Sequence, residues 1–134
     1  MDFLDTLKPG LEAKKTEIVT DKNTADVYGS GGLAVYATPA MIALMEGAAL
    51  FAVQPLLPDG WTTVGTEVNI RHISPSPPGM KVRARAELLG IDGRTLSYKV
   101  EAFDEAGKIG EGIHGRYIVE TGKFLAKTKA KKGE

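Results

Sequence analysis

Thr38-Pro39-Ala40-Met41-Ile42-Ala43-Leu44-Met45-Glu46-Gly47-Ala48-Ala49-Leu50-Phe51-Ala52-Val53 is the stretch on which the fold turns. Thr38-Pro39 is a helix-start signal: the threonine hydroxyl is expected to cap a free backbone N–H, and a proline in the first turn has no N–H to leave unpaired. From Ala40 to Leu57 apolar side chains point in nearly every direction. A helix without a polar face is one that is surrounded. Pro55 and Pro58-Asp59-Gly60 end it. It falls short of the roughly 20 apolar residues that cross a bilayer, so the rest of the chain has to cover it.

The flanking sequence can do that. Leu11–Thr20 reads as a strand, Thr24–Tyr28 as a short extended piece, and residues 1–10 as a helical turn ending at Pro9-Gly10. After the helix, Thr62–Ser74, Lys81–Leu89, Thr95–Phe103 and Ile109–Val119 read as four strands in a meander. In Val82-Arg83-Ala84-Arg85-Ala86-Glu87-Leu88 the apolar set falls on even numbers. Ser76-Pro77-Pro78-Gly79, Asp92-Gly93 and Glu105-Ala106-Gly107 supply turns, the Asp-Gly pair being a strong hairpin cue. The expected class is α+β: an antiparallel five- or six-stranded sheet wrapped around one long central helix, the hot-dog arrangement. Residues 1–122 form its single domain and 123–134 a lysine-rich tail. An exposed sheet edge makes a homodimer the expected assembly.

The 134 residues are 43% hydrophobic and 25% charged, with a formal charge of zero. That zero is unevenly built: residues 123–134 carry +4 and residues 1–122 carry −4. The tail is expected to be solvated and disordered. The acidic body shows no basic stripe with interleaved aromatics, so neither nucleic acid nor a membrane is an expected partner. There is no cysteine, which removes disulfides, thiolate metal sites and a cysteine nucleophile. The first residues lack a basic and an apolar signal region, and a cytoplasmic location is the default expectation.

Three side chains stand out. Glu46 lies within the apolar helix, where a carboxylate needs a partner or a proton. His72, in Val68-Asn69-Ile70-Arg71-His72-Ile73, shares a strand face with Val68 and Ile70 and is expected to point inward. A carboxylate beside it would orient and charge the imidazole. Thr38 puts a hydroxyl at a helix start, where free N–H groups favour negative charge. Gly65 offers either bare backbone to a carbonyl or a simple bulge. His114 and Arg116 lie near the end of the last strand, and the arginine suits a phosphate or carboxylate. The two histidines are far apart in sequence and show no metal-ligand spacing.

The run Val35-Tyr36-Ala37-Thr38-Pro39-Ala40-Met41-Ile42-Ala43-Leu44-Met45-Glu46, followed by Gly65-Thr66 and His72, resembles the fluoroacetyl-CoA thioesterase family of hot-dog proteins. The likeness continues through Ser76-Pro77-Pro78-Gly79, Ala86-Glu87-Leu88, Gly93-Arg94 and Gly110-Glu111-Gly112-Ile113-His114-Gly115-Arg116, covering roughly residues 33–124. It implies an acyl-CoA thioesterase with Thr38, Glu46 and His72 catalytic and Gly65 and Arg116 binding substrate. Coenzyme A would enter as part of the substrate, and no metal or other cofactor is implied. The family's fluoroacetyl-specific enzyme closes its pocket with a lid containing phenylalanines. Here that stretch is Tyr28-Gly29-Ser30-Gly31-Gly32-Leu33, so fluoroacetyl-CoA is not the expected acyl donor. Thr38 and Glu46 are eight residues apart, about 12 Å along a helix axis, so His72 or a second protomer has to bridge them. The rival readings are a non-catalytic acyl-CoA binding module and a hot-dog hydratase or dehydratase.

Overall fold

The computed structural model describes residues 3–133. Met1 and Asp2 of the expected first turn, and Glu134 of the tail, lie outside them. The order is a 3-10 turn (Phe3–Thr6), β1 (Glu12–Ile18), α1 (Ala25–Tyr28), α2 (Thr38–Val53) running into a second 3-10 turn (Gln54–Leu56), β2 (Trp61–His72), β3 (Lys81–Asp92), β4 (Thr95–Phe103), β5 (Lys108–Glu120) and α3 (Thr121–Ala130).

The five strands form one antiparallel sheet in the order β1-β3-β4-β5-β2, curled around α2. Only β3, β4 and β5 form a meander. The strand after the helix does not pair with the next strand in sequence: β2 lies on the far edge beside β5, and β1 closes the other edge against β3. The β3–β4 hairpin closes on Asp92 opposite Thr95, with Gly93-Arg94 as its two-residue loop. Gly93 has φ +61°, the positive value a two-residue turn requires there.

The even-numbered side chains of β3 (Val82, Ala84, Ala86 and Leu88) are fully buried, as their alternation requires. They meet Met41, Leu44, Met45 and Ala48 of α2. By length and composition Thr38–Leu56 would also qualify as a membrane span; its place against the concave face of the sheet makes it a core helix. It is not wholly enclosed. Ala43 and Phe51 are exposed, and Ile42, Glu46, Gly47 and Leu50 are half-buried, because α2 packs chiefly across β1 and β3 and leaves its other side open.

Two other expectations change. Thr24–Tyr28 is a helical turn rather than extended, stopped by Gly29 at φ +71°, whose N–H donates to the Ala25 carbonyl. The lysine-rich end is the helix α3 rather than a disordered tail. From Lys123 to Lys132 it contains no glycine or proline, alanine, leucine and lysine are good helix formers, and Lys127 and Lys129 complement the negative end of the helix dipole.

Candidate active site

The backbone before α2 is tied down on both sides. Tyr36 N–H donates to the Ser76 carbonyl and Ala37 N–H to the Asn23 carbonyl. Ala37 is the N-cap residue, extended at φ −73°, ψ 138°, and its carbonyl takes the Met41 N–H. Thr38 is therefore the first helical residue, and its hydroxyl does not cap the helix. Its Oγ1 lies 2.7 Å from His72 Nδ1 at the end of β2. The pair opens onto a cleft of about 270 Å³ bounded by Ser30, Val35, Tyr36, Ile73 and Ser74. Thr38 is exposed and His72 half-buried, while His72 Nε2 is buried without a hydrogen bond. Burial holds the His72 pKa below the ordinary histidine value, outweighing the opposite pull of the Ser74 backbone. The expected inward apolar face of β2 is only partly realised. Val68 is 46% exposed, because this is an edge strand that α2 scarcely covers.

Glu46 belongs to a second cluster, two turns further along α2. Its side chain is 37% exposed rather than buried, and its partners come from β5, not from His72. Glu46 Oε2 lies 3.7 Å from Arg116 Nη1 and 4.0 Å from His114 Nε2. Arg116 is buried and aimed by Thr63: its Nε donates to Oγ1 and its Nη2 to the carbonyl, both at 2.8 Å. Gly65 pairs across the ladder with Arg116 and sits at a bulge between Gly65 and Glu67. A Cβ at Gly65 would fall 2.6 Å from Glu46 Oε2, so bare, exposed backbone adjoins the carboxylate.

The five residues singled out in the sequence thus fall into two groups within one chain, Thr38 with His72 and Glu46 with Gly65 and Arg116. The expected Glu46–His72 contact is replaced by Glu46 with Arg116 and His114. The parts given too little weight are His114 and Thr63. The signal for His114 was present on β5, where His114 and Arg116, at a spacing of two, share the inward face with Gly110, Gly112 and Ile118, whereas nothing local marks Thr63 on β2. Among the described residues no three histidine, cysteine, aspartate or glutamate side chains converge as a metal set would.

Residues 19–122 match the family described as FlK, fluoroacetyl-CoA-specific thioesterase. Over 97 residues the chain is 40% identical to the fluoroacetyl-CoA thioesterase of Streptantibioticus cattleyicolor, covering 72% of this chain and 70% of that one. The solved fluoroacetyl-CoA thioesterase FlK aligns with a TM-score of 0.87 at 33% identity, over 93% of this chain and 97% of the other. A thioesterase superfamily member from Thermus thermophilus aligns with a TM-score of 0.87 at 32% identity, over 94% and 93%.

Proposed function

The chain belongs to the fluoroacetyl-CoA-specific thioesterase family and is a thioesterase; from that premise we propose that it hydrolyses a small acyl-CoA at a site shared by two protomers. One protomer supplies Thr38 and His72. The facing cluster is Glu46 of the partner subunit with its neighbours Gly65 and Arg116. The observation that carries this reading is the 2.7 Å contact between an exposed hydroxyl and a half-buried imidazole at the mouth of a cleft. With the ring proton on Nε2, Thr38 donates to Nδ1, the arrangement in which an imidazole takes a proton from an attacking oxygen.

Hydrolysis adds water across the C–S bond. Water attacks the thioester carbonyl and passes its proton through the Thr38 hydroxyl to His72 Nδ1, and His72 returns that proton to the departing thiolate, giving the acid and free coenzyme A. The carboxylate across the interface orients the attacking group or the imidazole. Backbone N–H groups beside Gly65 and at the start of α2 face the developing oxyanion. Two features support the dimer: β2 is an edge strand with residues 65–69 exposed, and the uncovered side of α2 carries Glu46 amid Ile42, Ala43 and Leu50. The exposed Gly29-Ser30-Gly31-Gly32 stretch places no bulky side chain over the cleft, which favours ordinary short acyl groups over fluoroacetyl.

Release of free thiol from acetyl-, fluoroacetyl-, short branched and medium-chain acyl-CoA tests this, with the parent, His72→Ala, Glu46→Gln and a refolded mixture of the two variants. Each variant alone should lose most activity. The mixture should recover about a quarter of the parental rate, since half the dimers then carry one intact site of two. Activity of either variant within tenfold of the parent overturns the residue assignment. An inactive mixture overturns the shared site.

A further inference from the structure

His114 is fully buried on β5, between α2 and the strands on either side. Every group it faces has a defined relation to it. From β2, the Glu67 carbonyl lies 2.7 Å from Nδ1, and a carbonyl can only accept, so Nδ1 carries the ring proton. Nε2 of the neutral ring is then an acceptor, and Arg116 Nη1 lies 3.3 Å from it with a proton to give. From α2, the Glu46 carboxylate stands 4.0 Å from the same nitrogen. From β4, the Tyr98 ring stacks at 6.1 Å and 29°, and its buried hydroxyl makes no hydrogen bond. Thr63 fixes the remaining edge of the guanidinium.

We propose that His114 is a positioning residue for the thioesterase reaction: with its tautomer locked by the Glu67 carbonyl, it holds the Arg116 guanidinium against Glu46. Its neutrality is part of the device. Protonated, Nε2 would become a donor, repel Arg116 and take the Glu46 carboxylate for itself. Burial, with Arg116 adding to it, holds the His114 pKa below the ordinary histidine value, which the Glu67 backbone contact and Glu46 only partly offset. The orienting arrangement therefore persists at pH values where a free imidazole is already charged.

The inference rests on reading Glu46 and Arg116 as site groups, and the two arms of its test separate the two ideas. The chain has only two histidines, so long-range proton–nitrogen NMR of the parent, assigned with His114→Gln, reads this ring directly. The expected result is a single Nδ1–H tautomer that titrates below the ordinary histidine value. An Nε2–H tautomer, or titration at the ordinary value, overturns the proposal. In kinetics, His114→Phe keeps a ring over Tyr98 but removes the acceptor. It should lower kcat roughly tenfold to hundredfold with little change in KM. His114→Gln, whose Oε1 replaces Nε2 as acceptor, should recover most of that loss. Equal impairment of the two variants, or none in the phenylalanine variant, overturns the proposal. If His114→Phe does not fold, the tautomer and the glutamine variant decide. Should Glu46→Gln instead retain parental activity while the ring keeps its tautomer, the reading of the site fails and not the device.

Discussion

Thr38 separates two roles that its sequence context merges. A threonine before a proline at a helix start looks like a cap, yet Ala37 is the cap residue and the hydroxyl is spent on His72. Thr38→Ala should therefore cost less than the about 1 kcal/mol typical of a lost cap, while lowering kcat/KM roughly a hundredfold or more. Thr38→Ser should keep both; melting curves beside steady-state rates show whether the losses part. The imidazole partner adds a pH signature. Both histidines are held below their ordinary pKa, so the unfolded chain binds protons that the folded one resists. Stability should begin to fall as pH drops through about 6.5 and level off once pH is below the folded-state values. Replacing either histidine with glutamine should flatten that slope. Glu46 and His72 were legible in the sequence because a carboxylate in an apolar helix and an imidazole on an apolar strand face are both anomalies. Their partners were not. Whether Glu46 meets His72 or Arg116 depends on strand order and on an eight-residue helical separation, and neither is a local property.

Strands proved more legible than their neighbours. The alternation of β3 gave its inward face, and the limits of β4 follow directly from Thr95 and Phe103 beside turn residues. The pairing of β2 was hidden, because a meander is the default reading of consecutive strands and nothing local marks the one that crosses the sheet. Its contact with β5 depends on residues lacking side chains. A Cβ at Gly112 would fall 2.2 Å from the Asn69 carbonyl oxygen and 2.7 Å from Ile70 Cα, backbone that cannot swing aside. Gly112→Ala should cost about 2 kcal/mol or more. Gly122→Ala, in α3 with nothing near its Cβ, should be neutral or stabilise by a few tenths to about 1 kcal/mol. Urea unfolding of the pair checks both. A further tie crosses four strands on the exposed face: Arg85 joins Glu12, Glu87 and Glu101, and Lys108 joins Glu101 and Glu111. Such surface pairs, mostly half-buried here, contribute little singly and gain from being linked.

At the scale of the whole molecule, both sheet edges, β1 and β2, precede in sequence the β3–β4–β5 meander on which they pair. Completing the sheet waits on contacts distant along the chain, the topology that folds slowly. The same plan explains why the composition was easy to read and the assembly was not. An acidic body and a basic end are visible in the sequence, but only the structure makes that end a helix continuing directly from β5. Because α3 and the two residues after it gather five lysines (Lys123, Lys127, Lys129, Lys131 and Lys132) at one pole of a body carrying −4, the protein is an electric dipole whose zero net charge conceals its behaviour. Near pH 7 and at low salt it should be retained by a cation exchanger as well as by an anion exchanger, each resin gripping an opposite pole. A chain shortened to residue 122 should keep its thioesterase activity and lose only the first of these affinities. Retention on the anion exchanger alone by the full chain would mean that the lysines are already neutralised where they lie.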